Sequence, residues 1–429
     1  MSSTTVFVNF NEYLGGGETL LLRMVGSFSH KKIKVISSKS SYIHDKLKNN
    51  DHLSSALLLY SNNYNFNYLS KKNKAEFLRW LDTVLPENEL FKIVTFCMRD
   101  LHLLVSFMGK YKRKNINIIH LLLHPLDHLY LGQTITDKLI LKAFGKNQFK
   151  ERKNLIVNSA VLDRLEMSGA LIPMNFNVLK RLEIDTKISI KPDKIIPLPF
   201  FREGDCMHQK VVGNNSDKQT KIVWLGRIVD FKIAAIKCMI DFVSTNENYS
   251  FDIIGYGSES LINDYISYKS VNDRVAIIGR VPHDELKKAL ANYDIGYGMG
   301  TSMAELTLCD LPSIVALASP DFKAFEQAIS AGLVYEQKPG NVGDDLYRTN
   351  IIESTFPLII DTIRKIEEDP QDCLNKSLDY LSNNFSLEKN ISRYADVIES
   401  APHTSFSGIK PLRVSLLRKV LFKALSVIK

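Results

Sequence analysis

Short apolar runs separated by amphipathic stretches set the plan of this chain from one end to the other. In the first half, runs suited to strands occur at residues 5–10, 33–37, 56–60, 92–98, 116–123 and 171–175. Between them, apolar positions recur at three- and four-residue steps over 20–28, 72–81, 101–111 and 127–144, which predicts helices. The second half repeats the alternation, with strands expected at 221–225, 251–254, 275–278, 295–300 and 312–317. Helices are expected there at 233–243, 258–268, 284–292 and 321–330. Strands that alternate with helices build parallel βαβ units, so the pattern predicts two doubly wound α/β domains.

The boundary between them is written in composition. Residues 195–200 read as an apolar strand stopped by Pro197 and Pro199, and the following stretch is polar and carries Gly213-Asn214-Asn215-Ser216-Asp217, as a surface linker would. The division expected is an amino-terminal domain over 1–200, a linker over 201–220 and a second domain over 221–385. Helices are predicted at 355–368, 371–383 and 387–400. Beyond them, 408–429 carries Arg413, Arg418, Lys419 and Lys423 with no acid, while leucines recur at helical spacing. A basic amphipathic helix of this kind lies in an anionic membrane interface; the other use of such a helix is packing on the protein itself or at a subunit contact.

Composition narrows the partners. The 429 residues suit two cores, and 45% hydrophobic with 10% aromatic content is that of a globular protein. A net charge of +8 points to an anionic partner, but no nucleic-acid motif accompanies it. Five cysteines, odd in number and without CxxC spacing, read as reduced thiols of the cytoplasm and form neither a disulfide framework nor a zinc site. The first residues lack the basic start and long apolar run of a signal peptide, and no run of eighteen apolar residues occurs. A cytoplasmic protein, peripheral at the inner face of the cell membrane, is expected.

The candidate chemistry lies where strands end. Residues 221–225 run into Gly226-Arg227, with Lys232 at the start of the next helix. In open α/β sheets ligands gather at the carboxyl ends of strands, where helix amino termini favour anions. A planar guanidinium and a mobile ammonium together neutralise a diphosphate leaving group; a lone pair of this kind reads first as solvated surface cations, and the surrounding pattern reverses that. Two more strand endings follow, Gly255-Tyr256-Gly257 and Gly279-Arg280, then Gly298-Met299-Gly300-Thr301-Ser302 before a helix bearing Glu305. Near the amino terminus, Gly15-Gly16-Gly17 lies between a strand and a helix, as a close approach to a ligand requires, although a plain tight turn needs the same residues. His120, His124 and His128 form the densest histidine cluster. Metal ligation, ordinary structural roles and a substrate contact by His124 are the readings open for it, and Pro125 breaks a helix that would align the three. Ser159 reads as an N-cap.

The segments GRIVDFK, DIIGYGS, VAIIGRVPHDEL, GTSMAEL and LPSIVA, in that order, resemble the carboxyl-terminal domain of retaining glycosyltransferases of family 4. The resemblance covers about 221–335 and, more loosely, the amino-terminal half. It implies the GT-B fold, two Rossmann-like domains facing a cleft, with the helix at 386–400 crossing back to the amino-terminal domain. It further implies that Arg227 and Lys232 bind the donor diphosphate and that Glu305 binds the ribose. Gly16, Gly17, Gly255, Gly257, Gly300, Thr301 and Ser302 would line the donor site, with His124 contacting the donor sugar. The family has a second Glu eight residues before the ribose-binding one; here Tyr297 stands in its place, assigned to the donor side. No cofactor or metal is implied, the nucleotide-sugar being a substrate. The activity implied is transfer of a sugar to a glycan or lipid-linked acceptor in bacterial surface polysaccharide assembly. A sugar-nucleotide epimerase on the same fold and a non-catalytic binding or scaffold protein are the other readings.

Overall fold

A computed structural model describes residues 3–11, 16–28, 32–48, 54–60, 71–124, 127–129, 148–202, 219–319, 327–345 and 356–406. The chain divides into two units: Met1–Pro199 joined by the chain from Glu388, and Phe200–Leu387.

The first unit runs β1 (Thr4–Val8), α1 (Gly16–Ser27), β2 (Ile33–Ser38), α2 (Tyr42–Leu47), β3 (Leu57–Tyr60), α3 (Lys71–Val84), β4 (Phe91–Thr95) and α4 (Met98–Tyr111). It continues with β5 (Ile116–Leu122), α5 (Gln148–Met167), β6 (Leu171–Pro173) and α6 (Phe176–Thr186). Its six strands lie in the order β3-β2-β1-β4-β5-β6, every pair parallel. A parallel sheet needs both faces covered, and strands such as β1 and β5 are accordingly buried at every position. The apolar core between sheet and helices includes Phe77, Leu104, Phe107 and Leu162.

The second unit runs β7 (Thr220–Leu225), α7 (Asp230–Thr245), β8 (Tyr249–Ile254), α8 (Glu259–Lys269), β9 (Val275–Gly279), α9 (Leu286–Leu290), β10 (Ile295–Gly298), α10 (Thr301–Leu308) and β11 (Ser313–Val315). A short parallel pair, β12 (Leu317–Ala318) with β13 (Asp344–Asp345), precedes α11 (Ile359–Glu368) and α12 (Pro370–Phe385). The main sheet is parallel in the order β11-β10-β7-β8-β9. Strand parity divides its core: Ile222 and Trp224 pack with Ile236 and Ile240 of α7, whereas Val223 and Leu225 pack with Leu306 of α10 and Leu290 of α9. The helices that follow the adjacent strands β7 and β10 therefore cover opposite faces. This makes the β7/β10 border the point where strand order reverses, the place at which a crevice opens in such sheets.

The last described helix, α13 (Leu387–Ser400), packs on the first unit from Glu388 onward. Tyr394 Oη donates to Ile196 O at 2.7 Å and Arg393 Nη2 to Ile195 O at 2.7 Å. Asn117 Nδ2 donates to Ala401 O at 2.7 Å just beyond the helix.

Three expectations are corrected. Residues 195–200 form no strand: prolines at 197 and 199 remove the amide donors a ladder needs, and Ile196 N instead donates to Pro173 O at 3.1 Å. Residues 327–330 are not helical; Ile329 bridges Leu358. Ser159 is not an N-cap but lies inside α5, its hydroxyl donating back to Leu155 O at 2.6 Å. The expected helix over 127–144 is described only at its start, where Asp127–Leu129 forms one 3-10 turn. The basic tail over 408–429, with Arg413, Arg418, Lys419 and Lys423, lies outside the described residues, as does most of the linker. Among the described residues no helix is long and apolar enough to cross a membrane.

Candidate functional site

Gly226 is the centre of the site in the second unit. It ends β7 with φ at +139°, a conformation that favours glycine. A side-chain carbon there would stand 3.2 Å from Ser302 Oγ and 3.3 Å from Lys232 Nζ. The bare position thus leaves a small space flanked by a hydroxyl from α10 and an ammonium from α7. Arg227, the next residue, is exposed at the same edge. Both helices begin here, α7 after Val229 and α10 after Gly300, and neither carries a side-chain cap. Uncapped helix starts present partial positive charge to whatever binds, which favours an anion.

The electrostatics agree. Burial, and then the neighbouring Arg227 charge, lower the Lys232 ammonium to about 8. Among the described residues no carboxylate pairs with either cation. The cations are placed by the fold: Lys232 Nζ lies 5.7 Å over the Trp224 ring, and the Trp224 indole N–H donates to Gly226 O at 3.1 Å. Trp224 therefore supports both the turn and the ammonium. Sequence reasoning took it only as a strand residue; a large aromatic two positions before the strand-ending glycine was the available signal.

Gly255 and Gly257 have a task of their own. A side-chain carbon on Gly255 would overlap Gly226 O, and one on Gly257 would overlap Ile228 O. The turn after β8 lies directly on the turn after β7, with Gly226 N donating to Ile254 O at 3.0 Å and Ile228 N to Tyr256 O at 2.8 Å. These glycines fix the shape of the edge that holds Arg227. Gly300 sits at φ +68° and starts α10, so Thr301 and Ser302 form its first turn and the half-buried Glu305 follows Ser302 by three residues on the same face.

Tyr297 requires a correction. It is not on the donor side: the side chain is 0% exposed, its ring 5.6 Å from Trp224 and 6.3 Å from Phe251, its hydroxyl donating to Ala235 O at 3.3 Å. The cause is parity, since Ile295, Tyr297 and Met299 face the core beneath α7 while Gly296 and Gly298 face α10.

In the first unit, Gly17 is brought against the ends of two strands: a side-chain carbon there would meet Leu123 Cδ1 at 3.1 Å and Phe96 Cβ at 3.8 Å. Gly16 is exposed. His124 follows Leu123, exposed at the carboxyl end of β5, with its N–H donating to Asp127 Oδ2 at 2.8 Å. The other two histidines of the cluster are structural. His120 is buried and hydrogen-bonded to Thr95 Oγ1 at 2.8 Å, and His128 Nε2 meets Asp185 Oδ2 at 2.7 Å. Among the described residues no group of three His, Cys, Asp or Glu is arranged to hold a metal ion. One network escaped sequence reasoning: buried Glu18, in the first turn of α1, accepts from Asn9 and Asn11 Nδ2, each at 2.7 Å. Arg99 Nη2 donates to Asn11 Oδ1 at 3.3 Å. The sequence signal was two asparagines closing a strand before an acidic first turn.

No protein-family model matches the sequence, and no curated protein matches it. Solved structures do. The chain is similar over 93% of its length to all of Anabaena HepE, solved in complex with UDP and glucose, with a TM-score of 0.57 and 14% identity. The fold is GT-B. The lipopolysaccharide outer core galactosyltransferase WaaB, in its apo form, gives a TM-score of 0.57 at 12% identity, covering 93% of this chain and 99% of that one. Sucrose-phosphate synthase from Thermosynechococcus elongatus gives 0.54 at 13% identity, covering 92% of this chain and 98% of that one. Gly226, Arg227, Lys232 and Ser302 lie together at the carboxyl edge of the second unit's main sheet.

Proposed function

We propose that this chain is a retaining glycosyltransferase that moves a sugar from a nucleotide-sugar donor to a glycan or lipid-linked acceptor in bacterial surface polysaccharide assembly. The observation that carries the reading is the corner at Gly226, where an ammonium and a hydroxyl flank an empty position beside Arg227 and two uncapped helix starts. That arrangement suits a diphosphate. Support comes also from the similar structures, one holding UDP and glucose and another a lipopolysaccharide galactosyltransferase.

In the proposed reaction the bond between the anomeric carbon and the diphosphate oxygen breaks, its electron pair leaving with the phosphate. The acceptor hydroxyl oxygen bonds to the same face of the carbon and its proton passes to the departing phosphate oxygen. Arg227 and Lys232 hold the charge that develops, each well-placed cation contributing several kcal/mol, of the order of 3. Glu305, one turn into α10, is assigned to the ribose hydroxyls. The basic tail with Arg413, Arg418, Lys419 and Lys423 is assigned to an anionic membrane surface, so truncation after Ser400 releases the protein from anionic vesicles; unchanged vesicle binding removes that assignment.

A panel of UDP-, GDP- and other activated sugars tests the whole reading. Slow release of one nucleoside diphosphate is expected, and it should disappear in the Arg227→Ala, Lys232→Ala double variant. Intact nucleotide affinity in that variant would sink the assignment. Tyr297 in the core favours a second reading, a nucleotide-binding protein without transfer, because the position that carries a carboxylate in the resembling family faces away from the site. Binding without turnover on any donor selects it.

A further inference from the structure

The diphosphate corner leaves one neighbouring feature without a task. Tyr256 stands between Gly255 and Gly257 on the turn that lies against the β7 edge, and its carbonyl accepts the N–H of Ile228, the residue after Arg227, at 2.8 Å. The residue nonetheless keeps 48% of its surface open, whereas Trp224, Tyr297 and Phe251 of the same unit are fully buried. The guanidinium of Arg280, first residue beyond β9, stands 5.4 Å from the centre of that ring. Arg280 is itself exposed, and among the described residues no carboxylate pairs with it. An aromatic face and an unneutralised cation are thus displayed together at the carboxyl edge that carries Arg227.

We propose that Tyr256 and Arg280 form the base platform of the nucleotide site, the base lying on the Tyr256 ring with a carbonyl-bearing edge turned to Arg280. The inference rests on the reading of the Gly226 corner as a diphosphate site and adds the class of base. An aromatic ring stacks any base, so Tyr256 supplies affinity without choice. Arg280 supplies the choice: a guanidinium has only donors, which suit O4 of uracil or O6 of guanine and oppose the amino groups that cytosine and adenine carry at those positions. The backbone of Tyr256 is one hydrogen bond from the residue following Arg227, which puts the platform on the same edge as the diphosphate corner.

Calorimetric titration of the full chain with UDP, GDP, ADP, CDP and inorganic pyrophosphate tests this. UDP or GDP is expected to bind at least about tenfold more tightly than ADP and CDP, and which of the two leads identifies the base. Tyr256→Ala should weaken the preferred nucleotide by about tenfold or more, Tyr256→Phe should not, and pyrophosphate affinity should stay the same in both. Arg280→Gln should narrow the gap between UDP or GDP and the ADP and CDP pair without altering pyrophosphate binding. Wild-type affinity in Tyr256→Ala overturns the platform. So does equal binding of all four nucleotides, or an Arg280→Gln variant that loses pyrophosphate in proportion, which would make Arg280 a phosphate ligand. If pyrophosphate binds as tightly as every nucleotide, the base platform alone is lost; if nothing binds the wild-type chain, the reading of the Gly226 corner falls and takes the platform with it.

Discussion

The Lys232 ammonium lies over the Trp224 ring at 5.7 Å, and the same indole donates to the carbonyl of Gly226. One buried aromatic therefore sets both the turn and the charge of the proposed diphosphate corner. Its cost is visible in the ammonium, which burial and Arg227 lower to about 8.

That lowering gives the nucleotide affinity a pH dependence. A bound diphosphate favours the charged ammonium, so binding draws a proton whenever the free site has lost one. UDP affinity measured by calorimetry should be level from pH 7 to 7.5, above the titration of the phosphate itself. It should fall above pH 8, by at most about tenfold per pH unit. Lys232→Met should bind weakly at every pH and remove the slope. A wild-type slope retained in that variant would assign the titration elsewhere.

The glycines of this edge should separate folding from binding. Gly226→Ala places a carbon 3.2 Å from Ser302 Oγ at a φ of +139°, so nucleotide affinity should drop about tenfold while the fold pays about 1–3 kcal/mol of backbone strain. Gly255→Ala drives a carbon into the backbone of Gly226 and should destabilise the unit by roughly 3 kcal/mol or more. Gly16→Ala, at an exposed position of the first unit, is the control and should change stability by no more than about 0.5 kcal/mol. Urea midpoints of the three variants give the ranking directly.

The alternation of apolar runs and helical periods was enough to recover both parallel sheets, because a strand buried on two faces and an amphipathic helix have different periods. The corner residues were legible for a similar reason: Arg227 and Lys232 are charges placed where a strand ends. What was not legible depends on contacts distant in sequence. Nothing local says that Gly255 lies on Gly226, or that Trp224 serves a turn rather than a core alone. Tyr297 was misplaced because alignment to a motif fixes a position along the chain but not the face of the strand, and in β10 that face is set by what α7 and α10 offer. Residues 195–200 were apolar enough for a strand, but backbone donors, not hydrophobicity, make a ladder.

The position of Tyr297 yields a test of its own. Tyr297→Phe removes one 3.3 Å hydrogen bond to Ala235 O and should cost about 1 kcal/mol. Tyr297→Glu, which restores the residue type of the resembling family, buries an unpaired carboxylate and should cost roughly 4 kcal/mol or more in a urea titration. Donor turnover should not rise. A stable, more active Tyr297→Glu would show that this side chain reaches the donor after all.

Acid sensitivity of the first unit should trace in part to His120. Burial, with the nearby His102, lowers its imidazole to about 3, whereas an unfolded histidine titrates near 6.5. Between those values the unfolded chain binds a proton that the folded one refuses, so this residue's contribution to stability is lost as pH falls from 6.5 toward 3. Asp127 acts oppositely: burial raises its carboxyl to about 7, so the folded chain holds the extra proton below that value. The two effects overlap, and only a difference between proteins isolates the histidine. Urea midpoints of the wild type and His120→Gln, taken at pH 7.5 and pH 5, should show the wild type losing up to about 2 kcal/mol more than the variant over that interval. Parallel losses in the two proteins would mean that His120 accepts its proton without unfolding, through a route that its hydrogen bond to Thr95 does not reveal.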